Sequence, residues 1–545
     1  VGAYSVPPGR FNSSPAVPTG RRTTDCTLKF SAPRFGKALF PSKLSLFVSG
    51  MPDTFENYIG GRWTVAASQA TYDNRNPADP DDHIGDFPDS APADVDAAVQ
   101  AAQDAFSDWG STPAPDRGKI LKASGDLLAE RKDEIARSMT REMGKPFFET
   151  KGDVQEAIDT AYYAASETRR LFGTTVPSEL PDKMNMAIRR PLGVCGIITA
   201  WNFPVAVPSW KIFPALAAGN TIVFKPMYVA RHSGVRVVQT LMCCGLCDGV
   251  INVVHGADEA GQALVEHPEV DAIGFTGSYE VGTAIAETCG RLNTPVSLEM
   301  GGKNPMIVMD DADLDLALEG AIWGAYGTTG QRCTATSRLI CHESVHDELV
   351  AMIRDEAEAL VLGDGNDADT DVGPLINQAA AETVHRYVEI GQEEGATLEM
   401  GGAPASVDGL DGHFYEPTLF TDVTPDMTIA QEEIFGPVLA TFEVGSYDEA
   451  VTVANDTQYG LSSSIYTQDV NKSFRAMRDL EAGITYVNGP TIGAEAHMPF
   501  GGVKDTGNGQ RDGGYAAFEF WTEHKTLYVD YSGQLQTAQM DSVED

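Results

Sequence analysis

The amino-acid sequence predicts an α/β protein made of two doubly wound parallel-sheet lobes facing each other across a cleft. Three observations carry this expectation. A chain of 545 residues is too long for a single hydrophobic core. Between residues 193 and 276, short and uniformly apolar runs alternate with helical segments, as parallel strands buried on both faces do. A second alternating set follows from Val296 onward.

The elements follow in order. From about residue 91 the text is helical, with Val95, Val99, Ala102 and Phe106 at helical spacing and Gly110 as a stop. Residues 115–140 and 149–171 repeat the pattern. Strands are expected at 193–200, 221–224, 251–254 and 272–275, separated by helices near 207–218, 232–243 and 258–266. The second set runs from Val296 through 306–309, 338–341 and 462–466. Residues 191–210 carry no charge, but Pro191, Asn202, Pro204 and Pro208 interrupt them, so they read as a buried strand and turn and not as a membrane span. Residues 183–190 and 520–530 alternate apolar and polar and are candidate strands outside both sheets.

Composition narrows the function. Hydrophobic residues make up 42% of the chain, enough for a packed core and too many for a disordered one. Lys plus Arg number 39 against 78 Asp plus Glu, and this acid excess argues against a nucleic-acid binder or an anionic membrane surface. Residues 1–50 hold seven basic residues and one acid, a net of +6 against −39 for the whole chain, which leaves −45 on residues 51–545. Only twelve lysines lie in that body, the balance of a halophilic protein whose repulsion is screened by salt. The first fifty residues read as a disordered basic leader with no secretory or twin-arginine signal, and Met51 opens text with the body's composition. Eight cysteines make no disulfide framework in so long a chain. Cys243, Cys244 and Cys247 lack a second ligand pair and read as small buried hydrophobes, so no metal site is expected.

Four segments carry chemistry. Cys333 follows a Gly-rich turn (Gly324, Gly327, Gly330), and a thiolate attacks carbonyl carbon well. Glu299 stands at a strand end before Gly301 and Gly302, where backbone can approach a ligand. Asn202, in Trp201-Asn202-Phe203-Pro204, ends a buried strand with an amide able to donate to an oxyanion. Lys225, in Phe224-Lys225-Pro226, ends the next strand. Open α/β sheets bind ligands at such carboxyl ends, as they would at Phe275–Ser278.

Together these segments resemble the NAD(P)-dependent aldehyde dehydrogenase superfamily over essentially all of residues 51–531. The marks run in order: residues 201–204, 224–226, Phe-Thr-Gly-Ser at 275–278, Leu-Glu-Met-Gly-Gly-Lys-Asn-Pro at 298–305, Gly-Gln-Arg-Cys at 330–333, Glu-Ile-Phe-Gly-Pro at 433–437 and Pro-Phe-Gly-Gly at 499–502. The resemblance implies a dinucleotide-binding domain from 51–172 and 192–298 and a catalytic domain from 299–515. An oligomerisation arm would come from 173–191 and 516–531, with an acidic tail at 532–545. It implies that Cys333 attacks the aldehyde, that Asn202 and a backbone N–H hold the oxyanion, and that Glu299 activates the water that hydrolyses a thioester. Lys225 would bind the adenine ribose, Gly277 and Ser278 the pyrophosphate, and Glu433 the nicotinamide ribose, with Phe435 and Trp201 at that end.

In NAD-preferring relatives an acid commonly stands three residues after the lysine. Here that residue is Tyr228, so the resemblance implies NADP in preference to NAD, with Arg231 or His232 able to approach a 2′-phosphate. Coenzyme A-acylating relatives lack the glutamate, so Glu299 points to a free acid as product. The run from Gly493 to Met498 resembles the branch acting on carboxylated semialdehydes, 2-oxoglutarate semialdehyde above all. The aminoadipate-type and succinate semialdehyde enzymes stay open, as does a non-catalytic scaffold of the same fold. The resemblance also implies a small aldehyde substrate, a homodimer or homotetramer and a cytoplasmic setting.

Overall fold

The computed structural model describes residues 54–537. The expected leader and the end of the expected tail lie outside the described residues.

The first sheet has seven strands in the order Val296–Glu299, Ala272–Thr276, Val194–Ile198, Thr221–Lys225, Ile251–Val253, Asn57–Ile59 and Arg62–Thr64. The first five are parallel and the last two antiparallel. From the central strand Val194–Ile198 the chain first builds outward through Thr221–Lys225 and Ile251–Val253. It then returns to the other side at Ala272–Thr276. The strand order reverses there, and a crevice opens at the carboxyl ends of those two central strands. The connecting helices Ala206–Ala218, Arg231–Cys243 and Asp258–Glu266 fall where the alternation put them.

The second sheet runs Thr397–Met400, Thr418–Thr421, Val438–Val444, Thr336–His342, Asn304–Val308, Ser462–Tyr466 and Ile484–Val487. It is parallel except for the antiparallel pair at Thr397–Met400. One expectation is corrected. Val296 does not open the second set: Val296–Glu299 pairs in parallel with Ala272–Thr276 and completes the first sheet. Only residues 300–303 separate it from the first strand of the second sheet. Periodicity cannot assign an apolar run to one of two sheets so close in sequence.

The helical region from residue 91 becomes four helices, Pro92–Ser111, Ala114–Glu130, Lys132–Met143 and Phe147–Glu167. Gly110 lies inside the last turn of the first and does not stop it. The two expected arm strands form, as Lys183–Pro191 and Thr522–Asp530. They pair antiparallel, with Thr174–Pro177 on the far edge of Lys183–Pro191. Cys243, Cys244 and Cys247 are half-buried at the end of Arg231–Cys243; Cys243 and Cys244 are thiols, whereas Cys247 is disulfide-bonded and so is not a simple buried hydrophobe. Among the described residues no helix is long and apolar enough to cross a membrane.

Candidate active site

A cavity of about 780 Å³ opens at the point where the strand order reverses. Asn202, Glu299 and Cys333 line it together with Trp201, Lys225, Gly277, Ser278, Glu433 and Phe435. Nine of the ten residues singled out from the sequence therefore share one space. Tyr228 does not line it and is 41% exposed.

Cys333 is delivered by a strained loop. After helix Leu314–Tyr326 the chain makes a tight turn over Gly327–Gly330, in which Thr328 and Thr329 take left-handed conformations with φ 53° and 57°. β-Branched residues rarely occupy that region, and such strain clusters at functional sites. Gly330 follows at φ +69°, and a Cβ there would stand 2.1 Å from the Gly436 carbonyl oxygen. Asn304, at the start of a second-sheet strand, donates to the Cys333 and Ala335 carbonyls at 2.8 and 2.9 Å and accepts from the Ser462 N–H at 3.0 Å. Burial, reinforced by the Glu433 and Glu299 carboxylates, pushes the Cys333 thiol up to about 12, while the N–H groups of Thr334 and Cys333 favour the thiolate.

Glu299 ends the last strand of the first sheet and is 3% exposed, with no side chain hydrogen-bonded to its carboxylate and only the Gly502 N–H favouring its charge from the backbone. Burial and then the Asp512 carboxylate raise its pKa well above the ordinary range, while Lys211 and Arg511 oppose them. Lys211 and Asp512 form a fully buried ion pair beside it. A Cβ on Gly501 would lie 2.2 Å from Glu299 Oε1, so a glycine there leaves the carboxylate its room. An acid that is buried, raised and without a side-chain partner is suited to taking a proton from water.

Asn202 stands in the turn after Val194–Ile198, 4% exposed. Its Nδ2 donates to the Gln331 carbonyl at 3.1 Å, which ties the turn to the loop carrying Cys333. The amide has a second N–H to give. Beside it, Val207, Trp210, Leu461 and Phe500 form an apolar wall against which Cys333 and Phe203 pack, and the Trp210 and Phe500 ring centroids are 4.6 Å apart.

At the other end of the cavity Ser278 caps helix Tyr279–Leu292, its hydroxyl accepting from the Val281 N–H at 3.4 Å, so a helix N-terminus faces the space. Lys225 ends its strand 5% exposed, and burial brings its ammonium down to about 8 against the pull of Asp258. Glu433 Oε1 accepts from the Gly302 N–H at 3.0 Å, and burial raises this acid to about 7. Phe435, at φ 59°, sets its ring edge-on to Trp201 at 5.5 Å.

Arg231 and His232 do not lie where they were expected. Arg231 is 1% exposed and stacks on the Tyr72 ring at 3.3 Å, under the hairpin Thr71–Asn76 and Asp79–Pro88. His232 is buried against Ser138. Both open helix Arg231–Cys243, and they turn inward because the hairpin supplies an aromatic bed that the local sequence does not announce. Asn304, the Lys211–Asp512 pair and Thr328–Thr329 were also missed, since nothing in their neighbours in sequence marks them. Among the described residues one metal-like group occurs, His346, Asp347 and Glu443, and none of the three lines the cavity.

Known proteins share this fold. Residues 63–527 match the model of the aldehyde dehydrogenase family. An α-ketoglutarate semialdehyde dehydrogenase of Haloferax volcanii is 42% identical over 484 residues, 88% of this chain and all of that protein. The crystal structure of a betaine aldehyde dehydrogenase from Staphylococcus aureus in complex with NAD+ superposes with a TM-score of 0.87 at 33% identity, covering 90% of this chain and 97% of its own. An NADP-dependent enzyme of E. coli gives 0.84 at 35% identity, covering 88% and 98%. The Cys333 thiol, the Glu299 carboxylate and the Asn202 amide gather at the crevice of the first sheet, and the chain belongs to the aldehyde dehydrogenase family and is an oxidoreductase.

Proposed function

We propose that the protein oxidises a carboxylated semialdehyde, 2-oxoglutarate semialdehyde first among them, to the free carboxylic acid with a nicotinamide dinucleotide. One observation carries the reaction type: Cys333, Glu299 and Asn202, supplied by three separate segments, line a single cavity. The cofactor fits what the other end offers: a capped helix N-terminus for a pyrophosphate, the buried Lys225 ammonium for a ribose, and Glu433 with Phe435 toward the reacting end. A bound nicotinamide supplies the hydride acceptor. Cys333 loses its thiol proton to solvent, its Sγ adds to the aldehyde carbon, and the Asn202 amide with the Cys333 N–H holds the oxyanion. Loss of hydride leaves a thioester on Cys333. Glu299 takes a proton from water, whose oxygen adds to the thioester carbon, and the thiol departs as the acid forms.

The substrate reading rests on residues 493–498, which lie in sequence just before Phe500 of the apolar wall, and on the relative from Haloferax volcanii. NADP is favoured by the uncharged Tyr228, although Arg231 and His232 offer a 2′-phosphate nothing from where they lie. Further parts of the reading are a cytoplasmic enzyme adapted to high salt, supported by the acid excess, and a homodimer or homotetramer. The arm supports the oligomer because Val176, Met184, Ile188, Tyr528 and Val529 are all exposed on it. The domain division expected from the sequence, with the dinucleotide lobe ending at 298, belongs to the same proposal.

Steady-state formation of NADH and NADPH with 2-oxoglutarate, succinate and aminoadipate semialdehydes and propanal, in low salt and in roughly 1 M salt, tests the reading. Cys333→Ala is expected to abolish turnover with every aldehyde. Turnover of propanal alone would remove the substrate assignment and leave the chemistry, whereas an active Cys333→Ala would remove the chemistry.

A further inference from the structure

We propose that Lys145 and Asp153 are positioning residues for the oxyanion: a buried ion pair that fixes the turn carrying Asn202. The pair lies on a stripe of charge formed by Lys145, just before helix Phe147–Glu167, and by Glu149 and Asp153 within it. Four-residue spacing puts Glu149 and Asp153 on one helix face, and Lys145 meets that face from the segment just before the helix. The three are 2%, 6% and 2% exposed.

Each group has a defined task. Lys145 Nζ donates to the Asn202 carbonyl oxygen at 2.8 Å, meets Asp153 Oδ2 at 3.3 Å and sits 3.7 Å from the centre of the Phe203 ring. Asp153 Oδ1 accepts from the Ala206 N–H at 2.7 Å, at the start of helix Ala206–Ala218. The pair therefore grips the turn on both sides of residues 203–205, one backbone group before them and one after. The third member reaches the opposite lobe: Glu149 accepts from the Thr328 N–H at 2.9 Å and from Arg332 Nη2 at 2.6 Å, beside Cys333. The segment from Lys145 to Asp153 thus holds both the turn of the oxyanion donor and the nucleophile loop.

Stability does not account for such a pair. Removing two charges from water costs several kcal/mol per ion, and well-packed apolar residues commonly serve as well. Positioning does account for it. An oxyanion donor acts only when aimed at the oxygen of the tetrahedral species, and a displacement of about 1 Å costs on the order of a hundredfold in rate.

The inference rests on the oxyanion role proposed above for Asn202, and Asn202→Ala alone tests that role. The test is a double-mutant cycle on the full chain, comparing Lys145→Met, Asn202→Ala and both together with propanal and 2-oxoglutarate semialdehyde. Lys145→Met is expected to lower kcat on the order of 10- to 100-fold, with the aldehyde KM changed less than about threefold. In the Asn202→Ala background the same substitution should change kcat less than about threefold, because the group it aims is gone. Equal loss in both backgrounds, or a raised KM at unchanged kcat, overturns the proposal. If Lys145→Met does not fold, Asp153→Asn is put through the same cycle with the same two outcomes.

Discussion

Two acids flank the loop that carries Cys333, and their surroundings differ in kind. Glu149 and Glu299 are nearly equally buried, at 6% and 3% exposed. Glu149 is saturated, accepting from the Thr328 N–H, the Thr328 hydroxyl and the Arg332 guanidinium. Glu299 has no side-chain hydrogen-bond partner, only the Gly502 N–H beside it, and faces the cavity. A buried carboxylate that is fully bonded holds structure together. One left without a side-chain partner is a cost to the fold that only chemistry at the site explains. The difference lies in what surrounds each residue and not in the residue type.

The contrast can be broken most sharply at Glu299. Glu299→Gln should lower steady-state turnover by about 10²- to 10⁴-fold, the usual worth of a general base. A burst of NAD(P)H equal to the enzyme concentration should survive, since only hydrolysis is lost. Rapid-mixing absorbance checks this, and a vanished burst would give Glu299 an earlier role.

The same variant should not harm stability. Burial raises the Glu299 pKa in the folded protein. Its contribution to stability is therefore fully present below the unfolded carboxylate's pKa and is lost as pH rises through the folded value. Glu299→Gln should accordingly melt above wild type by a margin that widens with pH, read by calorimetry across a pH series.

Glu149→Gln should behave in the opposite way. It leaves Arg332 unpaired in a buried site, for a loss of about 3 kcal/mol in stability, and it should cost less turnover than Glu299→Gln. Denaturant titration beside kinetics decides. Unchanged stability with a loss of turnover as large as at Glu299 would erase the division between the two acids.

The smallest expected effect comes from the neighbours of Glu299. Water activation needs the ionised carboxylate, so acid formation should rise with pH along a limb above the ordinary carboxylate range. Lys211 favours that ionised form and Asp512 opposes it. Lys211→Met should move the limb to higher pH in a pH–rate profile. A limb that stays in place would detach the ion pair from the base.

Much of this was legible in the chain. The strands of the first sheet follow from apolar runs at fixed intervals, because a parallel strand covered on both faces must be apolar at every position. Cys333, Glu299 and Asn202 were legible because each ends an element or follows a turn rich in glycine. Other features were not. The strands Thr397–Met400 and Ile484–Val487 lie at sheet edges, where burial is partial and the apolar signal fades. Lys145, Glu149 and Asp153 carry no mark in the sequence, and it took two lobes closing over them to bury them. Arg231 and His232 read as free to meet a phosphate until the hairpin covered them.

The sequence by itself determined the class of fold, the reactive residue types and the charge of the body, since these depend on local pattern and composition. Only the tertiary structure decided that Glu299 closes the first sheet, and which buried acid is left without a side-chain partner. Those outcomes depend on hydrogen bonds and burial between segments more than a hundred residues apart, such as Glu149 with Thr328, and no local pattern encodes them.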